Sequence, residues 1–241
     1  MTCVLSFESV DVCYWRGQRP LQVLRDASMR VHAGELAGVW AKAGGGKTTL
    51  LEVAAGVLAP DHGRIVIDDR NLADLTTRQT SDLLHGYVGL ATRQGPALPD
   101  LPMAAWVALA LMRHVDRRAA EQRARQVLER VGVGAVAEEP WRNLSDSERI
   151  LVAIARAVVC EPKLLLVDDP TAGLDMIERF ELLGLLRSIA VATGAAILIS
   201  ASDMADLQGV ETIWSLVDGH LLGPPQQTAT VVDFAQRTKQ G

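Results

Sequence analysis

Apolar and polar positions alternate along this chain in two periods, and the change of period marks its elements. Over "DRRAAEQRARQVLERVGV" (116–133), Ala120, Ala124, Val127, Leu128 and Val131 recur at three- and four-residue spacing. That spacing places them on one helix face, and Gly132 stands where a left-handed cap would close the helix. "IERFELLGLLRSIAVAT" (177–193) also reads as helix, carried through Gly184. Elsewhere the apolar runs are short and rich in β-branched residues. "VLSFESVDVCYW" and "ASMRVHAGELAGVW" read as strands with a turn near Gly17 and Pro20, followed by "RIVIDD" and "GYVGLA". "KLLLVDDP" and "AAILIS" read as strands buried on both faces, and "ETIWSLVDGHLLG" as a hairpin turning at Asp218-Gly219. Strands alternating with helices in the second half imply a parallel sheet, and the strand-rich start implies an antiparallel patch beside it. The expected class is α/β.

Composition narrows the function. Of 241 residues, 49% are apolar, enough for a sizeable core. Lys plus Arg number 24 against 29 Asp plus Glu, a net charge of −5 that argues against a nucleic-acid-coating protein. Cys3, Cys13 and Cys160 are scattered without Cys-x-x-Cys spacing, so a disulfide framework or zinc site is not expected and a reducing compartment fits. The start lacks a basic segment followed by an apolar run, so no signal peptide is expected. No apolar stretch reaches the roughly 20 residues of a membrane-spanning helix.

The chemistry begins at "GVWAKAGGGKTTLLEVAAG" (38–56). A strand, a glycine-rich loop, Lys-Thr-Thr and a helix follow in order, as in loops of the G-x-x-x-x-G-K-[ST] kind. In such loops backbone N–H groups wrap phosphates, the lysine reaches the outer ones and the hydroxyl ligates magnesium. Gly44, Gly45 and Gly46 permit close backbone approach, with Lys47, Thr48 and Thr49 behind them. Ala41 takes the place of the first glycine. Alanine resists positive φ, so a distorted start to the loop is expected.

With "CEPKLLLVDDPTAGLD" and "LSDSERILVAIARAVV" added, the chain resembles the nucleotide-binding subunit of ABC transporters from about Val4 to Leu222. The looser pattern is most similar to the lipoprotein-release and macrolide-efflux branch. The resemblance implies a P-loop NTPase core with an antiparallel β subdomain and a helical subdomain at about 95–160, in one domain spanning 1–241. It implies ATP and Mg2+ as cofactors, a transmembrane transporter subunit and a second nucleotide-binding subunit as partners, and a place on the cytoplasmic face of the membrane. Each ATP would lie between one subunit's phosphate loop and the other's signature motif.

The resemblance also assigns roles. Asp168 matches a carboxylate that helps hold magnesium, beside Thr48. Asp169 matches a glutamate acting as general base, and is one methylene shorter. Ser202 stands at a histidine's place and brings neither charge nor a switchable proton. Arg93 falls where a glutamine is expected, with Gln94 one residue on. The arginine is open to two readings, a guanidinium for a phosphate or a solvated surface side chain. Tyr14 matches an aromatic that stacks on adenine, and reads equally as a half-buried strand tyrosine. "LSDSE" stands for "LSGGQ", so Ser145 remains while Asp146 and Ser147 replace two glycines. Ser145 and Glu148 make a helix-capping pair there, and Asp146 puts negative charge where a phosphate should dock. Nucleotide binding is therefore expected, with slow hydrolysis; the other reading is a nucleotide-binding scaffold with negligible turnover. Within "ALPDLPMAAWVALALM" (97–112), Met103, Trp106, Val107, Leu109 and Leu111 are too many for the inner face of one short helix; some are expected to be buried within the helical subdomain, and the rest, with Trp106 as the anchor, to line a groove for the membrane partner.

Overall fold

A computed structural model describes residues 2–17, 19–113 and 115–223. It contains two sheets. β1 (Cys3–Arg16) and β2 (Arg19–His32) form a long antiparallel hairpin through the turn at Gly17. β4 (His62–Ile67) and β5 (Arg70–Asn71) complete this sheet in the order β2-β1-β4-β5. Pro20 sits inside β2 rather than in the turn, opposite Trp15.

The second sheet runs β10-β9-β3-β8-β7-β6. β3 (Leu36–Trp40), β6 (Val88–Ala91), β7 (Leu164–Val167) and β8 (Ala196–Ala201) are mutually parallel through their neighbours. β9 (Thr212–Val217) joins β3 in parallel, and β10 (His220–Leu222) returns antiparallel through the turn at Asp218-Gly219. Every residue of β7 and β8 is buried, as expected of strands covered on both faces.

Six α-helices accompany the sheets among the described residues: α1 (Lys47–Ala54), α2 (Thr77–Tyr87), α3 (Met103–Ala108), α4 (Arg117–Arg130), α5 (Asp146–Val158) and α6 (Met176–Thr193). α4 buries Ala120, Ala124, Val127 and Leu128, the face its spacing predicts. α6 runs through Gly184 and ends on left-handed Gly194. α2 is absent from the sequence reading above. Its signal was there: Thr76 and Gln79 form a reciprocal capping box at its start.

α5 ties the fold together, because its two faces serve two cores. Ile150, Ala153, Ile154 and Ala157 pack with the parallel sheet and α6. Val152, Ala155 and Val159 pack with α3 and α4. The helical region is thus fastened to the sheet by a shared helix.

Trp106 belongs to that helical core. It is 8% exposed, stands edge-on to Trp141 at a centroid distance of 5.2 Å, and lies under the Arg156 guanidinium. Met103, Val107 and Leu111 are buried with it, and only Leu109 of that group is exposed. The expected surface anchor is therefore corrected. A short helix keeps most of its circumference dry when α4 and α5 cover it from both sides.

Candidate functional site

Three adjacent strands, β3, β8 and β7, deliver the site residues from their carboxyl ends. Such strand ends are where open parallel α/β sheets place their ligands. The loop at 41–46 follows β3, Asp168 and Asp169 follow β7, and Ser202 follows β8. Register brings them level, with Val39 beside Ser200 and Trp40 beside Ala201.

The loop is shaped by its later glycines. Gly44 and Gly46 are left-handed, at φ 75° and 95°. A methyl on Gly45 would meet the Lys42 carbonyl oxygen at 2.9 Å and the Ala41 Cβ at 3.0 Å. Ala41 is not among the left-handed residues; it is fully buried, and its N–H donates to the Ala201 carbonyl at 3.2 Å. The expected distortion is absent, because this position does not need positive φ and has room for a methyl.

Lys47 is 7% exposed. Its ammonium donates to the Ala41 carbonyl at 3.0 Å, the Lys42 carbonyl at 3.5 Å and the Ser202 hydroxyl at 2.9 Å. The Thr48 hydroxyl donates to Asp168 Oδ2 at 2.8 Å. Asp168 Oδ1 accepts from the Ser200 hydroxyl at 2.7 Å, and the same hydroxyl accepts the Asp169 N–H at 2.9 Å. Ser200 was missed in the sequence. Its signal is one hydroxyl in the otherwise apolar run of β8, and a fully buried hydroxyl requires partners.

Asp169 adopts left-handed backbone at φ 47°. Its Oδ2 accepts from the Ser202 hydroxyl at 2.6 Å, while Oδ1 is buried without a partner. Such a buried oxygen without a partner is costly.

Arg93 is neither free in solvent nor turned to the phosphate loop. Its Nε donates to the Asp169 carbonyl at 3.2 Å and its Nη2 to the Ala172 carbonyl, so it clasps the loop after β7. Gln94 is exposed, and its N–H donates to the Thr92 hydroxyl at 3.4 Å. A second ion pair joins α6 to the segment after β8. Arg179 of α6 pairs with Asp206 at 2.8 Å, where burial pushes the Asp206 carboxyl up and the Arg179 charge partly offsets it.

Tyr14 lies beside the loop, 39% exposed, with its hydroxyl 3.4 Å from that of Thr49. Ser145 sits elsewhere, at the start of α5. Its hydroxyl accepts the Glu148 N–H and bonds Glu148 Oε2 and Ser147, and its N–H donates to Glu148, so it is spent on the capping box. Asp146 pairs with Arg149 at 3.1 Å. One chain therefore gathers Gly44–Thr49, Asp168, Asp169 and Ser202 at the strand ends, with Tyr14 and Arg93 flanking them. Ser145 shares no hydrogen bond with that group among the described residues.

Comparison with known proteins decides the family. A match to the ABC transporter family covers residues 24–172. The chain is 36% identical over 207 residues to the lipoprotein-releasing system ATP-binding protein LolD of Cereibacter sphaeroides, covering 85% of this chain and 92% of that one. It is 32% identical over 219 residues to LolD 2 of Caulobacter vibrioides, covering 90% and 96%. The chain belongs to the ABC transporter family. The fold agrees: a dimeric ATP-binding cassette bound to ADP and Pi superposes with a TM-score of 0.83 at 23% identity, covering 90% of this chain and 96% of that one. The cbiO1 subunit of a Clostridium perfringens ABC transporter complex gives 0.78 at 25% identity, covering 92% and 88%.

This ABC-type ATPase takes ATP with magnesium, and the residues present fit both. Thr48 and Asp168 offer hard oxygens already held together, as magnesium requires beside a phosphate. The turn at Gly44–Gly46, at the start of α1, gives an anion the N–H-rich end of a helix. No helix among the described residues is long and apolar enough to cross a membrane.

Proposed function

We propose that the chain is the ATP-binding subunit of an ABC transporter, acting from the cytoplasmic face of the membrane through a transmembrane subunit. It spans 1–241 as a single cassette, with a helical lobe at about 95–160. A second nucleotide-binding subunit, identical or different, completes each site. The relatives named as ATP-binding proteins of a lipoprotein-releasing system, and the dimeric cassette that shares this fold, support this reading.

Bound Mg-ATP supplies the phosphoryl group to be passed to water. Lys47 would give its ammonium to the outer phosphates, Gly44 to Gly46 would wrap them with backbone N–H groups, and Thr48 and Asp168 would hold the metal. Thr49 lies at the mouth of α1, and Tyr14 stands where the base would stack. Asp169 is the general base, with Oδ1 the atom that receives the proton of the attacking water. Arg93 positions the loop carrying that base, while exposed Gln94 has the lesser part. Ser145 stands at the signature position that would face the partner's site, with its hydroxyl already engaged in the capping box.

Turnover is slow in this reading. The observation that carries it is the start of α5, where the Ser145–Glu148 box and the Asp146 carboxylate occupy the surface that would meet the partner's phosphate. The Asp146 carboxylate, although paired with Arg149, adds negative charge where a phosphate would dock. The test is steady-state phosphate release by the assembled complex. Restoring Asp146→Gly, Ser147→Gly, Asp169→Glu and Ser202→His together should raise the rate; a folded, nucleotide-binding variant without a gain contradicts it.

A further inference from the structure

Two indole rings and two guanidiniums line up inside the helical lobe. Arg156 lies over Trp106 at 5.2 Å from the ring centroid, Trp106 meets Trp141 edge-on at 5.2 Å, and Arg149 lies 5.9 Å from the Trp141 centroid. Both arginines belong to α5, about two turns apart, so one helix sets their spacing. The loop after β6 closes on Trp141 as well. A methyl on Gly95 would stand 2.6 Å from Cδ1, Nε1 and Cε2 of the indole alike. A point equidistant from three ring atoms lies over the face of the ring, so Gly95 covers the five-membered ring. Trp141 cannot swing away from Arg149 without disturbing Trp106 or that loop.

The Arg149 side chain is held at three points. Its Nε donates to the Trp141 carbonyl at 3.4 Å, its Nη1 donates to Asp146 Oδ1 at 3.1 Å, and the guanidinium lies against the indole. Arg149 is the one side-chain partner of Asp146 among the described residues. Glu148, the other acid of the first turn, is spent on Ser145.

We propose that Arg149 offsets the Asp146 charge at the start of α5, and that Trp141 is the positioning residue that keeps it turned to that task. The assignment rests on the reading that this surface meets the partner's nucleotide. Asp146 brings negative charge to a place of phosphate docking, and the chain carries its own counter-charge one turn further on. A free surface pair gains little, because two side chains must be ordered to form it. Here the carbonyl and ring of Trp141 order the longer side chain, and aspartate has few rotamers to lose. Only a guanidinium lies against a ring while donating in its plane to a carbonyl and a carboxylate; an ammonium at 149 would keep the charge and lose the fork.

The experiment is a double-mutant cycle on the assembled complex. Mg-ATP affinity is titrated calorimetrically in wild type, Arg149→Gln, Asp146→Asn and the double variant, each at low and high salt. Arg149→Gln should weaken binding about threefold to fivefold, the size of an exposed ion pair. Asp146→Asn should tighten it, and Arg149→Gln should then have almost no further effect. The Arg149→Gln loss should shrink at about 1 M salt, where charges act over about 3 Å, a response that a merely structural arginine would not give. Arg149→Lys should fall between wild type and Arg149→Gln. Trp141→Ala should reproduce the Arg149→Gln loss, and Trp141→Phe, which keeps a ring, should recover most of it. Equal losses from Arg149→Gln with and without Asp146 overturn the proposal, because the arginine then acts on the phosphate or on the helix directly. So does unchanged affinity in Arg149→Gln where Asp146→Asn tightens binding. If neither Asp146→Asn nor Arg149→Gln moves the affinity, the reading that this surface meets a phosphate fails, and the proposal with it.

Discussion

Ala41 and Gly45 show how single residues decide whether the loop can form. Sequence comparison directs attention to Ala41, where a glycine is missing. The geometry moves it four residues on, because a methyl on Gly45 would lie 2.9 Å from the Lys42 carbonyl oxygen and 3.0 Å from the Ala41 Cβ. Gly45→Ala should force the loop apart and abolish ATP binding in calorimetry while the chain stays folded. Ala41→Gly should do the opposite. It removes a buried methyl and frees the unfolded chain, costing about 1 kcal/mol of stability by denaturant titration, and leaves ATP affinity in place. Ser200 teaches the same lesson. Lys47, Thr48 and Asp168 were legible because they sit in fixed spacing beside one another. Ser200 acts across strands, and its role depends on a register that spacing along the chain does not show.

At the scale of elements, burial rewrites the helix around Trp106. Its apolar residues exceed one stripe, and most of the excess is buried with residues of α4 and α5, while Leu109 and Met112 remain exposed. Trp106→Ala should lower stability by about 3–5 kcal/mol, the range for emptying a large core aromatic. An unchanged denaturant midpoint would show instead that the ring is peripheral. The loops answer to a different kind of contact. Arg93 holds the carbonyls of Asp169 and Ala172, so Arg93→Ala should speed amide exchange across 169–175 without affecting β7. Protection unchanged in that segment would remove Arg93 as a clasp. The helices and the buried strands were readable because their periods are long and regular. α2 was not, since none of its residues is fully buried and its evidence is a cap rather than a stripe.

For the whole molecule, the two-sheet architecture followed from where alternation gives way to continuous apolar runs. Which residues share the site followed only from the strand order β3-β8-β7, which places three sequence-distant loops side by side. Global stability carries one pH signature from this arrangement. Burial raises the Asp206 carboxyl above its ordinary value of 3.8, with the Arg179 charge lowering it in part. A raised folded-state value means that the folded protein favours the proton. That stabilising contribution is present in acid and is lost as pH rises through the folded value. Urea titrations should therefore show wild type losing stability relative to Asp206→Asn as pH climbs from 3.8. A constant difference would mean that Asp206 titrates as an exposed carboxyl.

The central claim is that this chain holds Mg-ATP through the loop after β3. Calorimetric titration of the purified chain with Mg-ATP, wild type against Lys47→Ala, tests it most directly. Lys47 is buried, and its ammonium is held by carbonyls and a hydroxyl that a phosphate can replace. The account predicts binding by wild type and a loss of about 1.5–3 kcal/mol in the variant, the range for hydrogen bonds to charged groups. Equal affinity in the two proteins would contradict it.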